Sequence, residues 1–258
     1  MDILTLTLIQ TQMAWENPQA NRQHFKQKID AIGEDTDLIL LPEMFSTGFS
    51  MNAQKLAEPT EGPTLHWMQE QARSANAALS GSIIITENGK YYNRLFFVFP
   101  DGSYKTYDKR HLFSFAHEEK SYDQGEKKLV INYKGWKICP LICYDLRFPV
   151  WARNKEDYDL LFYVANWPDL RVSSWDILLK ARSVENICFT AGLNRVGHDE
   201  NNNNYNGHSA VYDPLGNLLT TANYEKECTQ TLELDKHQLR SIRKKFPFLD
   251  DRDTFEIT

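Results

Sequence analysis

From Ile138 to Ile142 the chain runs as a continuous apolar stretch of strand length, and it stops at Cys143, two residues ahead of Asp145, a helix-capping type. That layout sets Cys143 on a strand-to-helix turn. Unpaired N–H groups at the start of the following helix would favour thiolate over thiol there and so make a nucleophile. The competing reading is a structural cysteine, because free cysteine is among the most buried residue types.

Other segments repeat the layout. Asp37 to Leu41 is an apolar run, as in a sheet covered on both faces, and it ends at Pro42-Glu43; Leu160 to Ala165 ends at Asn166-Trp167. Ile3 to Ile9 alternates, with Leu4, Leu6 and Leu8 on one side. Helical spacing follows Asn17-Pro18, with Phe25, Ile29 and Ile32 on one face and Gly33 as the stop, and recurs from Pro63 to about Ala77 and from Ser173-Ser174 to about Glu185. A short helix is expected at 146–156, a strand from Ile187 to Leu193, and a final helix carrying Leu239 and Ile242. Asn88-Gly89, Asp101-Gly102 and Pro214-Leu215-Gly216-Asn217 mark hairpins, Ser114 to Lys128 is irregular, and Asn201 to Asn204 reads as an exposed loop. This alternation indicates a layered α/β fold, in which ligands bind at the carboxyl ends of the strands. Glu43, Cys143 and Asn166 all stand at such ends.

With 258 residues, 41% of them hydrophobic, the chain can bury a sizeable core, and no linker divides it, so one domain over 1–258 with an arm from about 246 is expected. A net charge of −6 and the lack of a basic run beyond Arg240 to Lys245 argue against nucleic acid as a partner. No stretch approaches the about 18 apolar residues of a membrane span. Cys139, Cys143, Cys188 and Cys228 follow neither a disulfide framework nor a C-x-x-C pair, no H-E-x-x-H occurs, and the first residues lack a basic leader. The expectation is a cytoplasmic protein that needs no metal or other cofactor.

A carboxylate beside a thiol can take its proton, and a lysine ammonium aimed at the same centre can hold a developing oxyanion. Glu43, Cys143 and Lys109 would supply base, nucleophile and clamp, a set suited to acyl transfer from an amide or nitrile.

Leu40-Leu41-Pro42-Glu43, Lys109-Arg110-His111-Leu112-Phe113 and Cys143-Tyr144-Asp145-Leu146-Arg147-Phe148-Pro149 resemble, in order, the signature blocks of the carbon-nitrogen hydrolase (nitrilase) superfamily. The segments at 163–168 and 181–186 are similar to family segments as well. The resemblance implies a four-layer αββα sandwich with two mixed sheets, commonly paired through helices into a homodimer. It makes Glu43 the general base, Lys109 the oxyanion cation, Cys143 the nucleophile and the Tyr144 backbone N–H a second oxyanion donor. It also implies a second glutamate ahead of a glycine; with Gly125 as that glycine, Glu118 is preferred to Glu119. Arg147 is read as a structural ion-pair partner. The wording of the blocks is most similar to the omega-amidase branch, which acts on the terminal amide of 2-oxo acids. For such a substrate Phe45, Phe113, Phe115, Trp167 and Trp175 are candidate pocket walls, and Arg171 is a candidate partner for the far carboxylate. Nitrilase or N-carbamoyl hydrolase activity is the alternative within the superfamily. Outside it stand a cysteine-histidine hydrolase using His111, His117 or His208 and a non-catalytic binding protein on the same scaffold.

Overall fold

The computed structural model describes residues 2–222 and 224–257. Its first half runs β1 (Ile3–Gln10), α1 (Pro18–Asp30), β2 (Leu38–Leu40), α2 (Ala53–Leu56), β3 (Glu58–Pro59), α3 (Pro63–Ala75), β4 (Ala78–Glu87), β5 (Lys90–Val98) and β6 (Tyr104–Asp108). The second half adds β7 (Ile131–Tyr133), β8 (Trp136–Ile142), α4 (Pro149–Ala152), β9 (Leu160–Val164), α5 (Val172–Asn186) and β10 (Phe189–Leu193). A hairpin of β11 (Val196–His198) and β12 (Asn204–Asn206) follows, then β13 (Ala210–Tyr212), β14 (Cys228–Asp235) and α6 (Lys236–Lys245).

Two mixed sheets result. One has the order β14-β1-β2-β4-β5-β6, with β3 beside β4; the other has the order β13-β10-β9-β8-β7. Parallel pairs, β1 with β2, β2 with β4, β8 with β9 and β9 with β10, lie in the middle with antiparallel strands outside them, and the short β3 pairs parallel with β4 off that order. Phe25 and Ile29 of α1 and Leu65, Met68 and Ala72 of α3 pack with Ile9, Ile39 and Leu79 of the first sheet. Leu4, Leu6, Leu8, Leu38 and Leu40 belong instead to the large cluster shared with Ile138, Leu141 and Phe162 of the second sheet. Trp175 and Leu179 of α5 close that cluster, which completes an αββα stack.

Local chemistry explains the boundaries. The Asn17 side chain accepts the Ala20 N–H and Pro18 opens α1, as the sequence suggests. At the other expected cap, Ser173-Ser174, α5 begins one residue earlier, and the Ser174 hydroxyl donates back to the Arg171 carbonyl at 2.7 Å. The helix expected at 146–156 is instead a 3-10 turn, Cys143–Arg147, followed by the single turn of α4. Ile187 does not start a strand. It closes α5 at φ 41°, and β10 begins at Phe189. The edge strand β14 escapes pattern reading because only Leu232 and Leu234 break its polar run. In the arm, Leu249 is buried with Ile187 and Ile242, and Lys155 donates to the Phe255 carbonyl at 2.6 Å.

α5 lies so close to β10 that a Cβ on Gly192 would stand 2.3 Å from Leu179 and 2.7 Å from Trp175. Gly192→Ala should therefore cost about 1–3 kcal/mol through overpacking. A thermal melt followed by circular dichroism checks this; an unchanged midpoint would mean that the helix yields without penalty.

Candidate active site

Four strands deliver the polar cluster. Glu43 lies just past β2, Lys109 follows β6, Cys143 follows β8 and Asn166 stands two residues past β9. The first pair therefore comes from one sheet and the second from the other. Cys143 is only 8% exposed and turns the chain with φ at 41°, a left-handed conformation that costs a non-glycine residue about 1–3 kcal/mol. Asp145 holds that turn. Its carboxylate accepts the Ile142 N–H at 3.1 Å, the Tyr107 hydroxyl at 2.7 Å and the His111 N–H at 3.0 Å, and lies 2.8 Å from His111 Nδ1. The same carboxylate thus ties the cysteine turn to the segment that carries Lys109.

Lys109 is 1% exposed, and its Nζ lies 2.8 Å from Glu43 Oε1 and 2.9 Å from each oxygen of Glu118. Asn93 Nδ2, on β5, donates to Glu43 Oε1 at 2.8 Å and more loosely to Glu118 Oε1 at 3.4 Å. Glu118 Oε2 also accepts the Phe113 N–H at 2.6 Å. Glu43 Oε2 accepts the Asn166 backbone N–H at 3.0 Å, while Asn166 Nδ2 donates to the Glu43 carbonyl at 2.6 Å. Glu119, by contrast, is exposed and sits 3.8 Å from His117. Gly125 backs the cluster: its N–H donates to the Lys109 carbonyl at 2.8 Å, and a Cβ there would lie 2.1 Å from the Asp108 carbonyl.

Burial alone would lower the Lys109 pKa, but the charges of Glu118 and Glu43 outweigh it and hold the ammonium firmly protonated. Burial raises the pKa of Glu118, reinforced by the nearby Glu43 and opposed by Lys109. For Cys143, burial pushes the thiol well above its ordinary range, and the hydrogen-bonded Glu43 charge pushes it further against the pull of Lys109. The expectation of a helix N-terminus stabilising a resting thiolate is therefore overturned. A 3-10 turn replaces the helix, and the apolar surroundings and the neighbouring carboxylate favour the protonated form.

Lys109, Cys143 and Asn166 of this cluster line a cavity of about 280 Å³. Phe113, Phe115, Trp167 and Arg171 line it, and so does Tyr144. Phe45 and Trp175 do not. Phe45 is fully buried against Phe25 and Trp67 behind the first sheet, and Trp175 is fully buried under Trp167, with its indole N–H donated to the His208 carbonyl. Arg147 also departs from expectation. Among the described residues no carboxylate lies within ion-pair distance of it; it donates to the Ser174 hydroxyl at 3.0 Å, covers the Trp167 ring at 5.0 Å and lines the cavity. Phe49, Tyr205, Asn201 and Asn203 line it as well, and none of them was singled out by the strand-end pattern. Of the three candidate histidines, His111 is bound to Asp145, His208 to Asp176, and His117 is exposed. No histidine is among the described cavity-lining residues.

Removing the Glu43 charge removes one cause of the raised thiol pKa. Glu43→Gln should thus shift the pH profile of Cys143 alkylation by iodoacetamide to lower pH, with Lys109 left to stabilise the thiolate. A profile unmoved or shifted upward would show that Glu43 does not face the sulfur electrostatically.

The model of the carbon-nitrogen hydrolase family matches residues 5–244. The chain is 42% identical to the omega-amidase YafV of Yersinia enterocolitica over 255 residues, 99% of each chain. It is 30% identical to a 2-oxoglutaramate amidase of Bacillus subtilis over 252 residues, 96% of each. A crystal structure of a CN-hydrolase superfamily protein from Xanthomonas campestris, with an arsenic adduct in its active site, superposes with a TM-score of 0.97 at 40% identity, covering 100% of both chains. With its sheets, its strand-end cluster and these whole-length likenesses, the chain belongs to the carbon-nitrogen hydrolase family.

Proposed function

We propose that this chain is a thiol-dependent amidase that hydrolyses the terminal amide of a small 2-oxo acid, of the 2-oxoglutaramate kind, to the acid and ammonia. The observation that carries this reading is that one cavity holds both the reactive cluster and two arginines. Cys143 and Lys109, the latter bonded to Glu43, line it together with Arg147 and Arg171, which have no carboxylate partner among the described residues. A small acid with an amide at one end and a carboxylate at the other matches both.

Cys143 Sγ attacks the amide carbon and forms the C–S bond, and the thiol proton passes to Glu43. Oε2 is the suited oxygen, because Oε1 already accepts Lys109 and Asn93 while Oε2 accepts only the Asn166 backbone N–H as a close partner. The oxyanion forms between Lys109 Nζ and the Tyr144 N–H. One of the three ammonium N–H groups can serve both Glu118 oxygens, which frees another for the oxyanion. Collapse breaks the C–N bond as Glu43 returns its proton to the departing ammonia. Water, deprotonated by the same carboxylate, then attacks the thioester, and the acid leaves with the thiol restored. Glu118 holds Lys109 charged and in place. Phe113 and Trp167 serve as walls.

The same reading takes the protein as one domain, acting as a homodimer in the reducing cytoplasm. α5 exposes Ile177 and Val184, with the 214–217 turn packed beside Val184, in keeping with a paired helical face. A free active thiol is suited to a reducing compartment.

Cys143→Ala should lower turnover at least about a thousandfold, the scale on which covalent catalysts lose activity without their nucleophile, while the thermal midpoint holds. Ammonia release from 2-oxoglutaramate should exceed that from glutamine, an aliphatic nitrile or an N-carbamoyl amino acid at equal concentration. Preference for the nitrile or the carbamoyl compound would overturn the substrate class.

A further inference from the structure

The asparagine run at 201–204 is a fixed part of the cavity. It forms the tip of the β11–β12 hairpin, and Asp199 fastens that tip by accepting the Asn201 N–H, the Asn203 N–H and Asn203 Nδ2, each at 2.9 Å, and the Tyr205 hydroxyl at 2.8 Å. Beneath it the buried Arg195 guanidinium lies 4.6 Å from the centre of the Tyr205 ring and donates to the His198 carbonyl at 3.0 Å. Asn201, Asn203 and Tyr205 all face the cavity. So many partners on an exposed polar turn specify one conformation where solvent alone would accept many.

One further bond joins this hairpin to the cation side of the site. Asn204 Nδ2 donates to Asp169 Oδ2 at 2.8 Å, and Asp169 opens the 3-10 turn Asp169–Arg171. Arg171 ends that turn with its guanidinium over the Phe113 ring at 5.1 Å, and its carbonyl accepts the Trp167 indole N–H at 2.8 Å. The position of Arg171 relative to Cys143 therefore depends on the hairpin as well as on its own turn.

We propose that the asparagine hairpin determines specificity: the Asn204–Asp169 clasp fixes how far Arg171 stands from Cys143, and so selects small amides whose far end carries a carboxylate. The inference rests on the amidase reading above and adds which residues set the reach of the site. Asn201 and Asn203 line the same cavity as Arg147 and Arg171, so a carboxylate at the far end of a substrate would meet polar groups there that a neutral chain end leaves unused. Asn204 touches none of the reacting atoms and acts as a positioning residue.

The test compares the monoamide of a small dicarboxylic acid with a neutral amide of the same chain length. Asn204→Asp sets two carboxylates against each other and opens the clasp, whereas Asn204→Asp combined with Asp169→Asn rebuilds it with donor and acceptor exchanged. The single variant should raise KM for the charged amide roughly tenfold and leave its kcat and both constants for the neutral amide within about twofold. The double variant should recover KM to within about threefold. Equal effects on the two substrates, an unchanged KM or no recovery in the double variant would each overturn the proposal. If the unaltered enzyme shows no preference for the charged amide, the substrate class proposed above fails first and takes this inference with it. If that preference exists and Asn204→Asp leaves it intact, only the role of the hairpin is lost.

Discussion

A single buried ammonium disciplines this fold. Lys109 is almost wholly out of water between two carboxylates that are themselves fully buried. Separating such a group from its partners leaves uncompensated charge in a poorly polarisable interior, at about 3–5 kcal/mol for each partner removed. The segment after β2, the end of β6 and the 3-10 turn carrying Glu118 must therefore arrive together. The contacts that make the triad tolerable are the ones that would organise chemistry, so there is little room to relax the site without loosening the fold around it.

The resting state that follows is a neutral thiol facing a buried carboxyl group. In Cys139 and Cys188, which do not line the cavity, burial is the main cause that pushes both thiols up to about 12. Cys143 shares that desolvation, yet it has a hydrogen-bonded carboxylate and lies near Lys109. A proton can leave this sulfur only when something nearby receives it. In the mechanism proposed above that receiver is Glu43, and no standing thiolate is needed.

Much of this was legible in the residues. Continuous apolar runs at 38–41, 138–142 and 160–165 can only be strands of a covered sheet, and the polar residue that ends each run marks the rim where a site forms. The rest depends on information that pattern does not hold. Phe45 and Trp175 are aromatic and close in sequence to site residues, yet their side chains turn into the core, and spacing in loops does not encode that direction. The expected ion pair of Arg147 does not form, and the neighbouring Asp145 is saturated by Tyr107, His111 and Ile142. Asn93 left a faint signal, an amide inside the otherwise apolar and basic strand β5, fully buried. The asparagine tip looked like solvent-exposed filler because polarity alone cannot distinguish a loose loop from one pinned by Asp199.

The cluster is shared between the two sheets: Glu43 and Lys109 follow strands of one, Cys143 and Asn166 strands of the other. The seam between them is sealed by leucines and aromatics such as Leu6, Leu8, Leu40 and Phe97, which carry no directional bonds. Mild acid or denaturant that lets the layers slip while the ladders survive would thus leave helix and strand content nearly native and yet part Glu43 from Cys143. Enzyme activity in this architecture is a gauge of how the layers are stacked, and it should vanish before circular dichroism in the far ultraviolet registers any loss of structure.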